Sequence, residues 1–297
     1  MMQVKTEIQP DEISFGGGHV LFVEGNDESI DISVLSSILP ITVKALGPSH
    51  SIKSVAQAFA KVHPRYYFLI DRDHYEDHLV EDYWKKFPNA DIPNLLIWKK
   101  KEIENYFLDS AYLCQASYLD KSKSEVDIQK IIIRQATRFL YMSVVNQVII
   151  SIREDFKKNW VKIFRDQDDF PDEATALKII LSMLEFSNFS STVSQKIAQE
   201  EIKTRFNKYL SLMTGDERRL VWNKGQWQNM IPGKNILHNV LGSTLFTVLD
   251  REGNKLTGVE KETEIIKDLL SPKKNLPDDF IKLIKILKER DAGSVQR

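Results

Sequence analysis

The sequence predicts an α/β fold, an N-terminal parallel sheet with flanking helices followed by a mainly α-helical part. Three observations predict it. Short apolar runs of strand length recur before residue 110 and end in Gly or acidic residues. Segments of helical spacing separate them, which is the rhythm of parallel strands joined by crossover helices. After about residue 110 nearly every window reads as helix. Residues 1–110 are therefore expected to form an α/β domain, and residues 111–297 a helical domain for substrate, dimer or partner contacts.

The first strand is Val20 to Val23, ending at Glu24-Gly25. Ile30, Val34, Leu35 and Ile38 then fall at helical spacing, with Pro40 as a stop. A second strand is expected at Thr42 to Leu46, before Gly47-Pro48. Ser49 or Ser51 caps a helix whose Ile52, Val55, Ala56, Phe59 and Val62 share one face. Tyr66 to Ile70 is the clearest strand and runs straight into Asp71-Arg72-Asp73. Asn94 to Trp98 makes the fourth, followed by Lys99-Lys100-Lys101 and Glu102-Ile103-Glu104-Asn105-Tyr106-Phe107.

The helical part opens at Ser124, with Asp127 three residues on as its capping partner. The apolar pattern from there toward Trp160 is too long for one helix without a break, and its Ile131–Ile152 stretch calls for burial in the domain or at an interface. Further helices are expected at Glu173–Phe186, Thr192–Met213, Lys234–Leu249, Glu260–Leu270 and Asp278–Lys288.

The formal net charge of −1 gives no global attraction to nucleic acid or anionic membrane, so any polyanion site must be local. One cysteine, Cys114, excludes an intramolecular disulfide and a cysteine zinc site. The charged start lacks the apolar core of a secretory signal, and no apolar stretch approaches the roughly 18 residues of a membrane span. These features lead us to expect a cytoplasmic protein with no membrane partner.

Chemistry concentrates at the carboxyl ends of the strands, where ligands sit in open parallel sheets. Strand one delivers Glu24, strand three Asp71 and Asp73, and the segment after strand four Glu102 and Glu104. Asp71 and Asp73 are two residues apart, so in extended chain they face the same way, roughly 6–7 Å apart. Clustered carboxylates repel unless a cation joins them. All-oxygen donors without His or Cys point to Mg²⁺ or Mn²⁺, which would orient a phosphodiester and stabilise charge on its oxygens.

The three segments VEGNDESI, LIDRDHYED and KKKEIENYFLD together resemble the Toprim domain, and within it the DUF4435 branch of Toprim-like proteins. Length and the helical second half resemble in particular the nuclease effectors of PARIS-type anti-phage systems. The motifs lie almost wholly within residues 20–110. The resemblance implies a metal-dependent nuclease in which Glu24 serves general acid/base catalysis and Asp71 and Asp73 bind metal, with Glu24 a further candidate ligand. Glu104 of the ENY motif is the fourth catalytic candidate. It also implies a toxic effector restrained by an ABC-type ATPase subunit until a phage protein is sensed, active as a homodimer and cutting RNA, in particular tRNA. Asp27 and Glu28 are candidates for a second metal, as in ATPase-linked nucleases, although both also suit the first turn of the following helix. The tyrosine-bearing strand-passage domain and zinc ribbon of topoisomerases and primases are missing, which argues against those activities.

Two other readings stand beside this one. One is a DNA nuclease of the same fold, akin to the OLD nucleases. The other is a non-catalytic regulatory subunit of the ATPase complex. Lys99 and Lys101 are candidate phosphate ligands, against the commoner reading of a basic triplet as solvated surface. His74 and His78 flank the aspartates and read as surface residues. Pro232-Gly233-Lys234-Asn235 lacks the features of a nucleotide loop, and Gly16-Gly17-Gly18 precedes a strand where a dinucleotide fingerprint would follow one. Trp222 and Trp227, beside Arg218, Arg219 and Lys224, suit packing better than stacking on RNA.

Overall fold

A computed structural model describes residues 18–59, 62–73, 75–89, 93–158, 178, 184–272 and 274–294. Its N-terminal part is a four-stranded, all-parallel sheet in the order β2-β1-β3-β4, built from β1 (Val20–Val23), β2 (Thr42–Ala45), β3 (Tyr66–Ile70) and β4 (Leu95–Ile97). Every residue of β1, β3 and β4 is buried, which is why these strands read as unbroken apolar runs. β2 is an edge strand and is partly exposed.

The crossover helices follow the spacing of their apolar residues. Helix α1 (Ile30–Ile38) buries Val34 and Leu35, and α2 (Ser49–Phe59) buries Ile52 and Ala56. Helix α3 (Asp77–Lys86) buries Val80 and Trp84, whose indole N–H donates to the Ile97 carbonyl at 2.9 Å. The chain leaves β1 toward β2 on one side and returns past it to β3 on the other. The carboxyl ends of β1 and β3 therefore form the topological switch point of the sheet, where such sheets bind ligands.

The division of the chain differs from the boundary expected near residue 110. One compact unit comprises Met1–Ala136 together with Gln228–Arg297, and the other comprises Thr137–Trp227. The physical reason lies in α4 (Glu104–Phe107). The Asn105 side-chain amide donates to the carbonyls of Gln228 (3.1 Å) and Ile231 (2.9 Å), which binds the returning chain to the motif after β4. Phe280 is buried against Trp98 and Tyr106, with ring centroids 5.6 and 5.0 Å away.

In this first unit α5 (Ser110–Leu113) and α6 (Glu125–Thr137) follow, the latter opening on the expected reciprocal cap between Ser124 and Asp127. The long apolar pattern does break, at Arg138-Phe139, and resumes as α7 (Leu140–Lys158) in the second unit. There Val144 and Val148 are buried, whereas Tyr141, Val145 and Ile149 are exposed. The helix expected over Thr192–Met213 is two, α8 (Leu184–Lys196) and α9 (Gln199–Thr214), because Ala198 turns extended between them. Trp227 is buried, its indole N–H donates to the Val221 carbonyl, and Trp222 packs edge-on against it, so both serve packing.

The chain re-enters the first unit through α10 (Trp227–Met230), α11 (Lys234–Leu241), α12 (Gly258–Leu269) and α13 (Asp278–Ser294). Helix α11 stops at Gly242, short of the expected Leu249. Most of the helix expected over Glu173–Phe186, the end of the pattern at Trp160, and His74 lie outside the described residues. No helix among the described residues is long and apolar enough to cross a membrane.

Candidate active site

Parallel pairing of β1 with β3 aligns Val23 with Leu69, so Glu24 and Asp71 emerge side by side at the switch point. The backbone N–H of Asp71 donates to Glu24 Oε1 at 3.1 Å. Behind Glu24, Gly25 takes φ +102°, a conformation that disfavours a side chain, and a Cβ there would lie 2.9 Å from Ser29 Cβ. Glycine is thus needed for the turn itself.

The carboxyls here are strongly perturbed. Burial pushes Glu24 above the ordinary carboxylate range and Asp73 adds to it, while the Asp71 amide, Lys53 and the Ser49 amide pull it back. Asp71 is pushed up to about 9 by burial and by the negative charges of Asp31, Glu24, Glu102 and Glu104. Glu104 reaches about 7, through burial and then Glu102, opposed by Lys234. Asp31 also rises to about 7, through burial, Glu104 and Glu24, while its own backbone amide and the Trp98 indole pull it partly back.

Asp31 is the residue that sequence reasoning missed. Asp27 and Glu28 are exposed on the turn after β1, whereas Asp31, in the first turn of α1, is half-buried and near enough for its charge to act on Asp71 and that of Glu104 to act on it. Its place on the same helical face as Val34 and Leu35, three and four residues on, was a legible signal. Glu102 has a different task. Its Oε2 accepts from the amides of Gly233 (2.9 Å) and Lys234 (3.1 Å), so it caps α11 from another part of the chain.

Asp73 sits in the left-handed region, φ 48°, which is uncommon for a residue other than glycine. Lys101 holds it there: its ammonium donates to the Asp73 carbonyl at 2.7 Å and lies 3.6 Å from the Asp73 carboxylate. Arg72 is buried between the two aspartates, donates to the carbonyls of Tyr75 (3.2 Å) and Lys99 (2.7 Å), and pairs with Asp77. These contacts tie the turn after β3 to the segment after β4.

The lysine triplet is engaged within the protein. Lys99 lies 3.3 Å from Glu81 and 3.4 Å from Asp279, over the Trp84 ring. Burial opposes its charge, but Asp279 and Glu81 hold its pKa above the usual value. Lys100 is pushed down by burial, donates to the Asn105 carbonyl and lies over Tyr106. Tyr106 in turn donates to Asp279 at 2.8 Å. His78 is exposed and pairs with Glu76, away from the carboxylates.

The all-oxygen donor set, with every leading influence on Asp71 raising its pKa, fits a hard divalent cation in charge and chemistry. Among the described residues no group of three or more Asp, Glu, His or Cys side chains is gathered closely enough to hold an ion. No protein-family model matches the chain, and no curated protein matches it.

Proposed function

We propose that the chain is a Mg²⁺- or Mn²⁺-dependent nuclease whose site is the carboxylate cluster at the β1/β3 switch point. The observation that carries this reading is the pairing of Glu24 with the Asp71 amide, with half-buried Asp31 and buried Glu104 acting on the same aspartate, at the edge where parallel sheets bind ligands. Perturbed carboxyls brought to one edge of a sheet are what phosphoryl chemistry with a divalent ion needs.

Asp71 and Asp73 would hold the metal, with Asp31 and Glu104 as the further carboxylates in reach. When bound, the metal supplies charge neutralisation on the phosphate oxygens and orientation of the scissile group. Glu24 takes the proton from the attacking water or 2′-hydroxyl, and burial suits it to that role by raising its proton affinity. Lys101 and Arg72 fix the turn that presents Asp71 and Asp73.

The three motifs support a Toprim-like reading of the DUF4435 type, resembling AriB, the effector of the PARIS anti-phage system. In that reading the chain is a toxic ribonuclease acting on tRNA, held silent by an AriA-like ABC-type ATPase and active as a homodimer in the cytoplasm. The test is induced expression with its neighbouring ATPase and a trigger, wild type against Glu24→Ala, with total RNA and DNA resolved on gels. Growth arrest with discrete small-RNA fragments, both lost in the variant, supports it. Fragmented DNA would favour the DNA-nuclease reading instead, and an equally toxic variant would favour a non-catalytic subunit.

A further inference from the structure

A polyanion cannot approach five carboxylates without cations to receive it, even with a metal bound. The obvious cations are spent. Lys99, Lys100 and Lys101 each hold a protein partner, and Arg72 is buried in the turn after β3. Two lysines close to the cluster differ. Lys53, on the face of α2 one turn after Ser49, is near enough to Glu24 to act on its charge, and its ammonium lies 4.8 Å from the centre of the Tyr75 ring. Lys234, the exposed first residue of α11, acts in the same way on Glu104. Neither makes a side-chain hydrogen bond or ion pair among the described residues.

Their places in the fold are complementary. Lys53 belongs to α2, the crossover helix that packs on β3, and its ammonium lies by Tyr75 in the turn after β3. Lys234 opens α11, the helix that packs against α4 after β4. The backbone under each is fixed independently of any ligand. Tyr75 steadies the Lys53 head group, and Glu102 grips the amides of Gly233 and Lys234.

Resting on the nuclease reading above, we infer that Lys53 and Lys234, presented from two separate segments beside the carboxylates, grip the phosphates of a nucleic-acid strand that crosses the cluster. The PGKN segment, which is no nucleotide loop, thus has its own use in presenting Lys234.

The test measures binding separately from cleavage. In a Glu24→Gln background, the affinity for a short fluorescent single-stranded RNA and the matched DNA is followed by anisotropy across a salt series. Lys53→Gln and Lys234→Gln should each weaken binding roughly three- to tenfold and reduce the slope of log affinity against log salt by about 0.7, the value for one lost phosphate contact. Lys53→Arg should restore the slope, and the exposed Lys285→Gln should leave it unchanged. Unchanged slopes in both glutamine variants overturn the inference, as does weaker binding at constant slope, which would report packing. If the parent binds neither nucleic acid, the nuclease reading itself falls and the inference with it.

Discussion

The amide of Asp71 hydrogen-bonds the Glu24 carboxylate across two paired strands, so the proposed base and the proposed metal ligand share one geometry. Glu24→Gln keeps an acceptor for that amide but cannot take a proton. We expect cleavage to fall by about 10²- to 10⁴-fold with thermal stability within about 1 °C of wild type. Single-turnover cleavage with a melting curve decides this. A loss below about tenfold would remove Glu24 from the proton transfer.

Asp71 is destabilised as an anion by its neighbours, and that cost gives metal binding an unusual signature. Without metal, Asp71→Asn should be at least as stable as wild type, because a neutral side chain replaces a repelled one. With Mn²⁺ at about a hundred times its Kd, wild type should gain about 2.7 kcal/mol and the variant almost nothing. Calorimetric melting with EDTA or Mn²⁺ reads both arms. A variant that still responds to Mn²⁺ would place the ion elsewhere.

How much of this was legible beforehand depends on the kind of signal. β1 and β3 are buried on both faces, so their apolar runs and the acidic residues that end them are visible in the sequence. The helical face of Asp31 was visible too, but the nearer Asp27 and Glu28 drew attention because they follow the strand directly. The partnerships of Glu102 with Gly233 and Lys234, and of Asn105 with Gln228 and Ile231, span more than a hundred residues, and no local period reports them. The partners of the lysine triplet are hidden for a similar reason. Its partners Glu81, Asp279 and Asp73 come from three different segments, so three adjacent charges look free when read along the chain.

Lys101 secures the left-handed Asp73 through its carbonyl, so removing the ammonium should cost stability as well as function. Lys101→Met is expected to lose about 1.5–3 kcal/mol, the range for a hydrogen bond to a charged group. It should also blunt the Mn²⁺ response, because Asp73 is no longer held. Urea unfolding and the metal titration test this together. Undiminished stability with a reduced salt slope for RNA would return Lys101 to the role of phosphate ligand.

Gly233 sits against the ENY motif so closely that a Cβ would lie 2.5 Å from Asn105 Oδ1 and 2.8 Å from its backbone nitrogen. Because backbone is among the obstacles, the neighbour cannot simply rotate away. Gly233→Ala should cost about 1–3 kcal/mol through overpacking and displace Lys234 from the cluster. Denaturant unfolding measures the first effect and RNA affinity the second. A neutral substitution would mean that residues 228–234 are not anchored on α4.

Acid should weaken the second unit through Asp155. Its carboxylate lies 2.6 Å from Arg205 and 3.4 Å from Lys196, joining α7 to α9 and α8. The Arg205 hydrogen bond, ahead of the charges of Arg205 and Lys196, holds its pKa below the ordinary 3.8. A carboxyl with a lower pKa folded than unfolded contributes stability above the unfolded value, and that contribution disappears as pH falls through the folded one. The pair is partly exposed, with side-chain accessibilities of 13% for Arg205 and 26% for Asp155, so its worth is about 1 kcal/mol or less. Asp155→Asn should therefore destabilise at pH 7 by that amount and by progressively less below about pH 4, where wild type has lost the same interaction. Urea unfolding of both proteins at the two pH values makes the comparison. A deficit that persists undiminished in acid would show that Asp155 acts through packing and not through its charge.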